Sequence, residues 1–232
     1  MDLHSWRFRL VDGPHSWAAR RRERRRGWLL RCFPDLAEMS VLDLGGRLSS
    51  WQRAPVRPKR LHVVNLEPAG GLVPDWAQVD QADACDLPAH LTLGRYDLVF
   101  SNSVLEHVGG HERRLRFAET VHALADAHWI QTPYRYFPVE PHWILPGMQF
   151  LPVPARVALA RRWPLGHTPV RERTDIEHAV LWTELLSQAE MRHYFPRSRL
   201  VVERLAGLPK SLIAIRGAVA PARRPVPSLS HW

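Results

Sequence analysis

Asp43, Gly45 and Gly46 close a short apolar run, "VLDLGG", and Glu67 closes the next one, "LHVVNLE", 24 positions further on. Two adjacent glycines let a backbone turn sharply and approach a ligand closely. A carboxylate at the tip of the following strand can accept hydrogen bonds from both hydroxyls of a ribose, more strongly than a neutral side chain does. Asp83, in "ADACDLP", follows a weaker strand signal and is placed to accept from an adenine amino group. Ser101 and Asn102 end the strong run "YDLVFSN". Each feature alone is commonplace: Asp43 could cap a turn, the glycines could break a strand, and Glu67 before Pro68 could be a solvated loop acid. In this order they point to one adenosyl ligand. "LGGRLSSW" lacks the fingerprint G-x-G-x-x-G, which disfavours a nicotinamide dinucleotide.

The elements that must position these residues are readable from periodicity. Strands are expected at Val41–Gly45, Leu61–Glu67, Ala77–Asp80 (weak), Tyr96–Asn102 and Ala127–Pro133. Between the last two, Leu115, Ala118, Val121, Leu124 and Ala125 fall at helical spacing and predict a helix with one buried face. Strands alternating with helical segments predict a Rossmann-like, doubly wound α/β fold with a mostly parallel sheet. In such a sheet ligands bind beyond the carboxyl ends of the strands, where the strand order reverses. Near the C-terminus, Leu200–Leu205 and Ser211–Arg216 alternate around Gly207 and Pro209, a link too short for a crossover helix and suited to an antiparallel hairpin. Before it, Ile176, Val180, Leu181, Leu185 and Leu186 predict one helix capped by Thr174 or Asp175.

At 232 residues and 45% hydrophobic, the chain suits one domain with appendages. These are expected to be a basic helical arm (1–34), a main α/β domain (35–217) with an insertion (133–190), and a Pro-rich tail (218–232). No apolar run approaches the roughly 18 residues of a membrane span, and the start lacks a secretory signal pattern, so a cytoplasmic protein is expected. Cys32 and Cys85 are too few and too far apart for a disulfide framework or a metal knuckle, and no metal ligands are assigned. The net charge of +9 invites a nucleic-acid reading, but all basic residues except Lys59 and Lys210 are arginine, as GC-rich coding would give anywhere. The run Arg20–Arg26, "RRRERRR", has no large apolar residue to give it a buried stripe. It reads as the solvated part of a helix from Ser16 to Phe33 that Pro34 stops.

Taken together, "VLDLGG…NLEP…DACDLP…YDLVFSNSVLEHV" resembles the class I S-adenosylmethionine-dependent methyltransferases, especially their small-molecule group, over about 40–133. The resemblance implies S-adenosylmethionine as cofactor, with Asp43, Gly45 and Gly46 around its methionine part and Glu67 on the ribose. It places Asp83 and Ala84 at the adenine, and Ser101 and Asn102 near the methyl-bearing sulfur. The first motif departs from the family's glycine pattern, since Gly45 and Gly46 are adjacent and Arg47 follows.

Two segments could handle the acceptor. Glu106 and His107, in "SNSVLEHVGGHE", begin a helical segment near the expected sulfur, where they could equally cap backbone amides and pack over the cofactor. "TPYRYFPVEPHWILPGMQFLPVP" carries six prolines and five aromatic residues, so it reads as a lid or acceptor wall, or as a stiff packing segment. Tyr134 and Arg135 are the candidate substrate contacts there, and Glu140 and His142, with His107, are the candidate bases. A small-molecule acceptor is the first expectation. An RNA or protein methyltransferase using the basic arm, and a non-catalytic cofactor-binding module, are the alternatives.

Overall fold

The computed structural model describes residues 16–92, 94–166 and 173–217. The expected tail at 218–232 and the first 15 residues of the arm lie outside the described residues. Five parallel strands form: β1 (Ser40–Leu44), β2 (Arg60–Asn65), β4 (Leu98–Asn102) and β5 (His128–Pro133), which are mostly buried, and the polar, half-exposed edge strand β3 (Ala77–Gln81). Each lies within two residues of its expected bounds. Two short strands follow, β6 (Val139–Glu140) and β7 (Leu145–Pro146), then the hairpin β8 (Arg199–Leu205) and β9 (Leu208–Arg216). Ala206 and Gly207 both take positive φ, 47° and 78°, which matches a two-residue turn to the twist of its strands.

The main sheet runs β3-β2-β1-β4-β5-β9-β8. Its first five strands are parallel, and β9 lies antiparallel between β5 and β8. The order reverses between β1 and β4, so a crevice opens at their carboxyl ends. Seven helices are described: α1 (Trp17–Cys32), α2 (Leu48–Gln52), α3 (Ala89–Thr92), α4 (His111–Leu124), α5 (Val153–Ala160), α6 (Arg173–Leu181) and α7 (Gln188–Tyr194). One face of the sheet packs Leu42, Leu44, Val99 and Ile130 under Phe117 and Val121 of α4. The other packs Val41, Val63, Leu98 and Trp129 under Leu29 of α1 and Phe33. The insertion has its own small core of Trp143, Met148, Val157, Ala160, Ile176 and Val180. No described helix is long and apolar enough to cross a membrane.

Three sequence expectations are corrected. The single helix expected to carry Ile176 to Leu186 is two helices, α6 and α7. Leu186 pairs with Tyr134 in an extended link, and Ser187 starts α7 with a capping box closed by Glu190. Thr174 and Asp175 lie inside the first turn of α6 instead of capping it. Leu115 on α4 is 45% exposed, while its neighbour Arg114 is 1% exposed, held by Glu184 and Glu190. The helix phase places 114, 117, 118 and 121 on the sheet, and the ion pairs let a guanidinium occupy that row. The arginine run is not wholly solvated either. The helix expected from Ser16 to Phe33 is present as α1, capped by Ser16, but Arg21 and Arg25 turn inward onto Glu203 of β8, itself 1% exposed, and Arg26 donates to the Ser50 carbonyl. Buried arginine with a carboxylate partner replaces the apolar stripe the sequence lacks.

Candidate active site

The Gly45–Gly46 turn is built from three neighbours. The Gly45 N–H donates to the Val64 carbonyl at 2.7 Å, and the Asn65 carboxamide donates to the carbonyls of Gly45 and Gly46 at 3.1 and 2.7 Å. Gly45 sits at φ +76°. A Cβ on Gly46 would lie 1.7 Å from Oδ2 of Asp43, so the second glycine is required by the buried carboxylate behind it. Asp43 is 2% exposed; its Oδ2 accepts from Trp51 Nε1 at 2.7 Å, while its Oδ1 is buried with no hydrogen-bond partner. Burial pushes the Asp43 carboxyl up to about 7, against the pull of Trp51 and Arg26.

A cavity of about 250 Å³ brings Asp43, Gly45, Gly46 and Asn102 together with Arg22 and Arg26 of α1. Glu67 lines a neighbouring cavity of about 220 Å³ with Asn65, and Gly46 and Arg47 line both. Glu67 is exposed and accepts from Arg47 at 3.1 Å. Asp83, at the end of β3, takes part in neither cavity; its carboxylate accepts from the Cys85 N–H at 2.9 Å and from Arg113 at 2.6 Å, and these contacts hold its pKa below the usual carboxylate range against its own partial burial. Ala84 packs into the core. Ser101 is fully buried, and its hydroxyl donates to the Leu44 carbonyl at 2.9 Å, tying β4 to β1 beneath the crevice. Sequence reasoning missed Asn65 and Trp51. An Asn at a strand end and a Trp in a short helix carry no signal of the loop and the carboxylate they clamp.

Of the acceptor-side candidates, Glu140, His142 and His107 meet in one polar cluster with Glu106, while Tyr134 and Arg135 lie apart from it. Glu140 is 4% exposed; its Oε1 meets His142 Nδ1 at 2.7 Å, and its Oε2 accepts from the Trp143 N–H at 2.7 Å. His142 and His107 meet edge-on, ring centroids 4.8 Å apart. Glu106 beneath them is fully buried, with Oε2 accepting from Thr132 at 2.9 Å and Oε1 lacking a hydrogen-bond partner. Burial pushes its carboxyl up to about 7. Arg135 and Glu140 line a separate cavity of about 470 Å³, with Arg114, Gln149 and Glu184. Tyr134 packs on the core and meets Tyr136 edge-on.

No protein-family model and no curated protein matches the chain. Solved structures do. The magnesium protoporphyrin IX methyltransferase ChlM from Synechocystis PCC 6803, with S-adenosylmethionine bound, is 14% identical, covers 92% of this chain and 90% of its own, and has a TM-score of 0.50. DhpI, in complex with S-adenosylhomocysteine, is 15% identical with coverage of 92% and 93% and a TM-score of 0.50. A Rhodobacter sphaeroides protein named after the Zn-dependent alcohol dehydrogenases is 10% identical with coverage of 83% and 87% and a TM-score of 0.55. At these identities the likeness concerns architecture, and a shared architecture hosts several chemistries. The order of strands, the antiparallel C-terminal pair and these neighbours agree on a Rossmann-like α/β fold, the architecture in which ChlM and DhpI are seen with S-adenosylmethionine and S-adenosylhomocysteine.

Proposed function

We propose that the protein transfers a methyl group from S-adenosylmethionine to a small-molecule acceptor. One observation carries this reading: Asp43, with a buried and unpartnered Oδ1, shares a cavity with four arginines (Arg22, Arg25, Arg26 and Arg47) and the glycine turn at the strand-order reversal. An amino-acid end brings an ammonium and a carboxylate together, and this cavity holds a counter-charge for each. Gly46 and Arg47 join that cavity to the one lined by Glu67, which sets a path from the amino-acid end to the ribose. In this reading Asp83 and Ala84, just beyond β3, are assigned to the adenine, although Asp83 lines neither cavity, and Asn102 is assigned to the sulfur side. Ser101 serves this arrangement by holding β4 against β1.

When bound, the cofactor supplies a sulfonium-activated methyl group that needs no further activation for in-line displacement. The chain's own task is to hold the acceptor atom collinear with the reacting bond, exclude water and take a proton. Tyr134 and Arg135 are the contacts proposed for the acceptor. His142, whose Nδ1 is held by Glu140, offers Nε2 as the proton-accepting atom, and His107 stacks edge-on against it. A positioned base contributes roughly 10²–10⁴-fold in rate. Turnover measured with a labelled methyl group should therefore fall by about 10²-fold or more in Glu140→Ala and in His142→Ala, with affinity for S-adenosylhomocysteine nearly unchanged. Wild-type turnover in both variants overturns the assignment.

A further inference from the structure

We propose that Glu106, His107 and His142 form a binding site for one divalent transition-metal ion of the zinc or manganese type. One ligand atom from each of the three lies within 4.8 Å of the others. Around an ion with bonds near 2.1 Å, tetrahedral ligand atoms are roughly 3.4 Å apart, so the cluster closes on an ion with side-chain movements of about 1 Å.

The second observation is Glu106 itself. It is 0% exposed, and one of its oxygens is anchored by Thr132 while Oε1 has no hydrogen-bond partner. A buried carboxylate oxygen without a donor is expensive, and a cation is the partner that balances its charge as well as its lone pairs. Oε1 faces the histidines, standing 4.0 Å from His107 Nε2.

The outer contacts suit ligation as well. Metal-bound histidines ordinarily engage their second nitrogen with a carboxylate or a backbone carbonyl, which fixes the tautomer and aims the ring. His142 Nδ1 meets the Glu140 carboxylate at 2.7 Å, and His107 Nδ1 meets the Trp182 carbonyl at 3.3 Å. Both rings are thus oriented through Nδ1, and Nε2 is the atom each would offer the ion. Two imidazoles and one carboxylate favour a borderline transition metal over magnesium or calcium, which take oxygen ligands.

The site is assembled from the loop after β4, the end of β5, the β6–β7 turn and the segment after α6. The sequence shows only a Glu-His pair and a histidine 35 positions later. With an ion bound, His142 Nε2 would be a ligand and no longer a base, and the ion would instead acidify an acceptor hydroxyl bound to it, which deepens the methyl-transfer reading without being needed for ion binding.

The test is direct titration of chelator-stripped protein with Zn²⁺ by calorimetry and with Co²⁺ by visible absorption. One ion per chain is expected. Affinity should fall at least tenfold in Glu106→Gln and in His142→Ala, and about 10–100-fold in Glu140→Gln, which only orients His142. The exposed His178→Ala control should bind as wild type. Circular dichroism confirms that each variant is folded, and Glu106→Gln preserves the Thr132 contact should His142→Ala unfold. The proposal is overturned by absence of stoichiometric binding to the wild type, or by binding that survives both Glu106→Gln and His142→Ala. Titrating the same stripped protein with S-adenosylmethionine separates the two readings: cofactor binding without ion binding removes the metal site alone, and the converse removes the cofactor reading alone.

Discussion

Replacing Asp43 by Asn separates the packing of this side chain from its charge. The two side chains have nearly the same volume, and a carboxamide oxygen can still accept from Trp51 Nε1, which lies 2.7 Å from Oδ2. Only the titration is lost. In the native protein the carboxyl titrates at about 7, against 3.8 in an open chain. The native state therefore holds this proton more tightly than the unfolded state. Stability from this group is complete below about pH 4 and declines as pH rises toward and through 7. At 1.36 kcal/mol per pH unit the full ceiling is roughly 4 kcal/mol, of which about 2–3 kcal/mol falls between pH 5 and 8.

Other groups titrate in the same window. Glu106 works in the same direction as Asp43, whereas His128, pushed down to about 3 chiefly by burial, destabilises the protein as pH falls below 6.5. Both are common to the wild type and the variant, so the difference between the two proteins isolates Asp43. Urea unfolding at pH 5, 6, 7 and 8 should show Asp43→Asn gaining about 2–3 kcal/mol on the wild type from the lowest pH to the highest. A difference that stays constant across that range, or that shrinks with pH, refutes the reasoning.

Gly46→Ala should destabilise the fold by about 1–3 kcal/mol, because its Cβ would meet the Asp43 carboxylate at 1.7 Å and the turn held by Asn65 must shift; chemical denaturation at neutral pH measures it. Glu203→Gln leaves Arg21 and Arg25 without their buried anion and should cost about 3 kcal/mol, the low end for a broken buried pair because the arginine side chains keep 11% exposure. Hydrogen exchange in α1 should then rise relative to the central strands.

The sheet was legible because its signals are local. Runs such as Val41–Leu44, apolar but for Asp43, and Leu98–Phe100 stay strands in any packing that covers both faces, and the link at Gly207 is too short for anything but a hairpin. The site was legible in so far as it follows strand ends: Asp43, Gly45, Gly46 and Asn102 share a cavity because the reversal at β1 and β4 puts them there. What escaped depends on contacts between distant segments. Arg114 replaces Leu115 on the buried row because Glu184 and Glu190, some 70 positions away, neutralise it. The helix through Leu185 and Leu186 breaks because Ser187 caps a new one and Leu186 bonds beside Tyr134, which no helical periodicity reveals. Asn65 and Trp51 gain their roles only when β2 and α2 close around the glycine turn. The Glu106, His107 and His142 cluster likewise exists only once the insertion folds back over β4 and β5.

Calorimetric titration with S-adenosylmethionine and with S-adenosylhomocysteine, at pH 8 where the Asp43 carboxylate is mostly ionised, tests the central claim most directly. One-to-one binding of both ligands is predicted, weakened about tenfold or more by Asp43→Asn, which removes the charge that faces the ammonium. Absence of binding by either ligand to a folded wild-type protein, or binding indifferent to Asp43→Asn, contradicts the account.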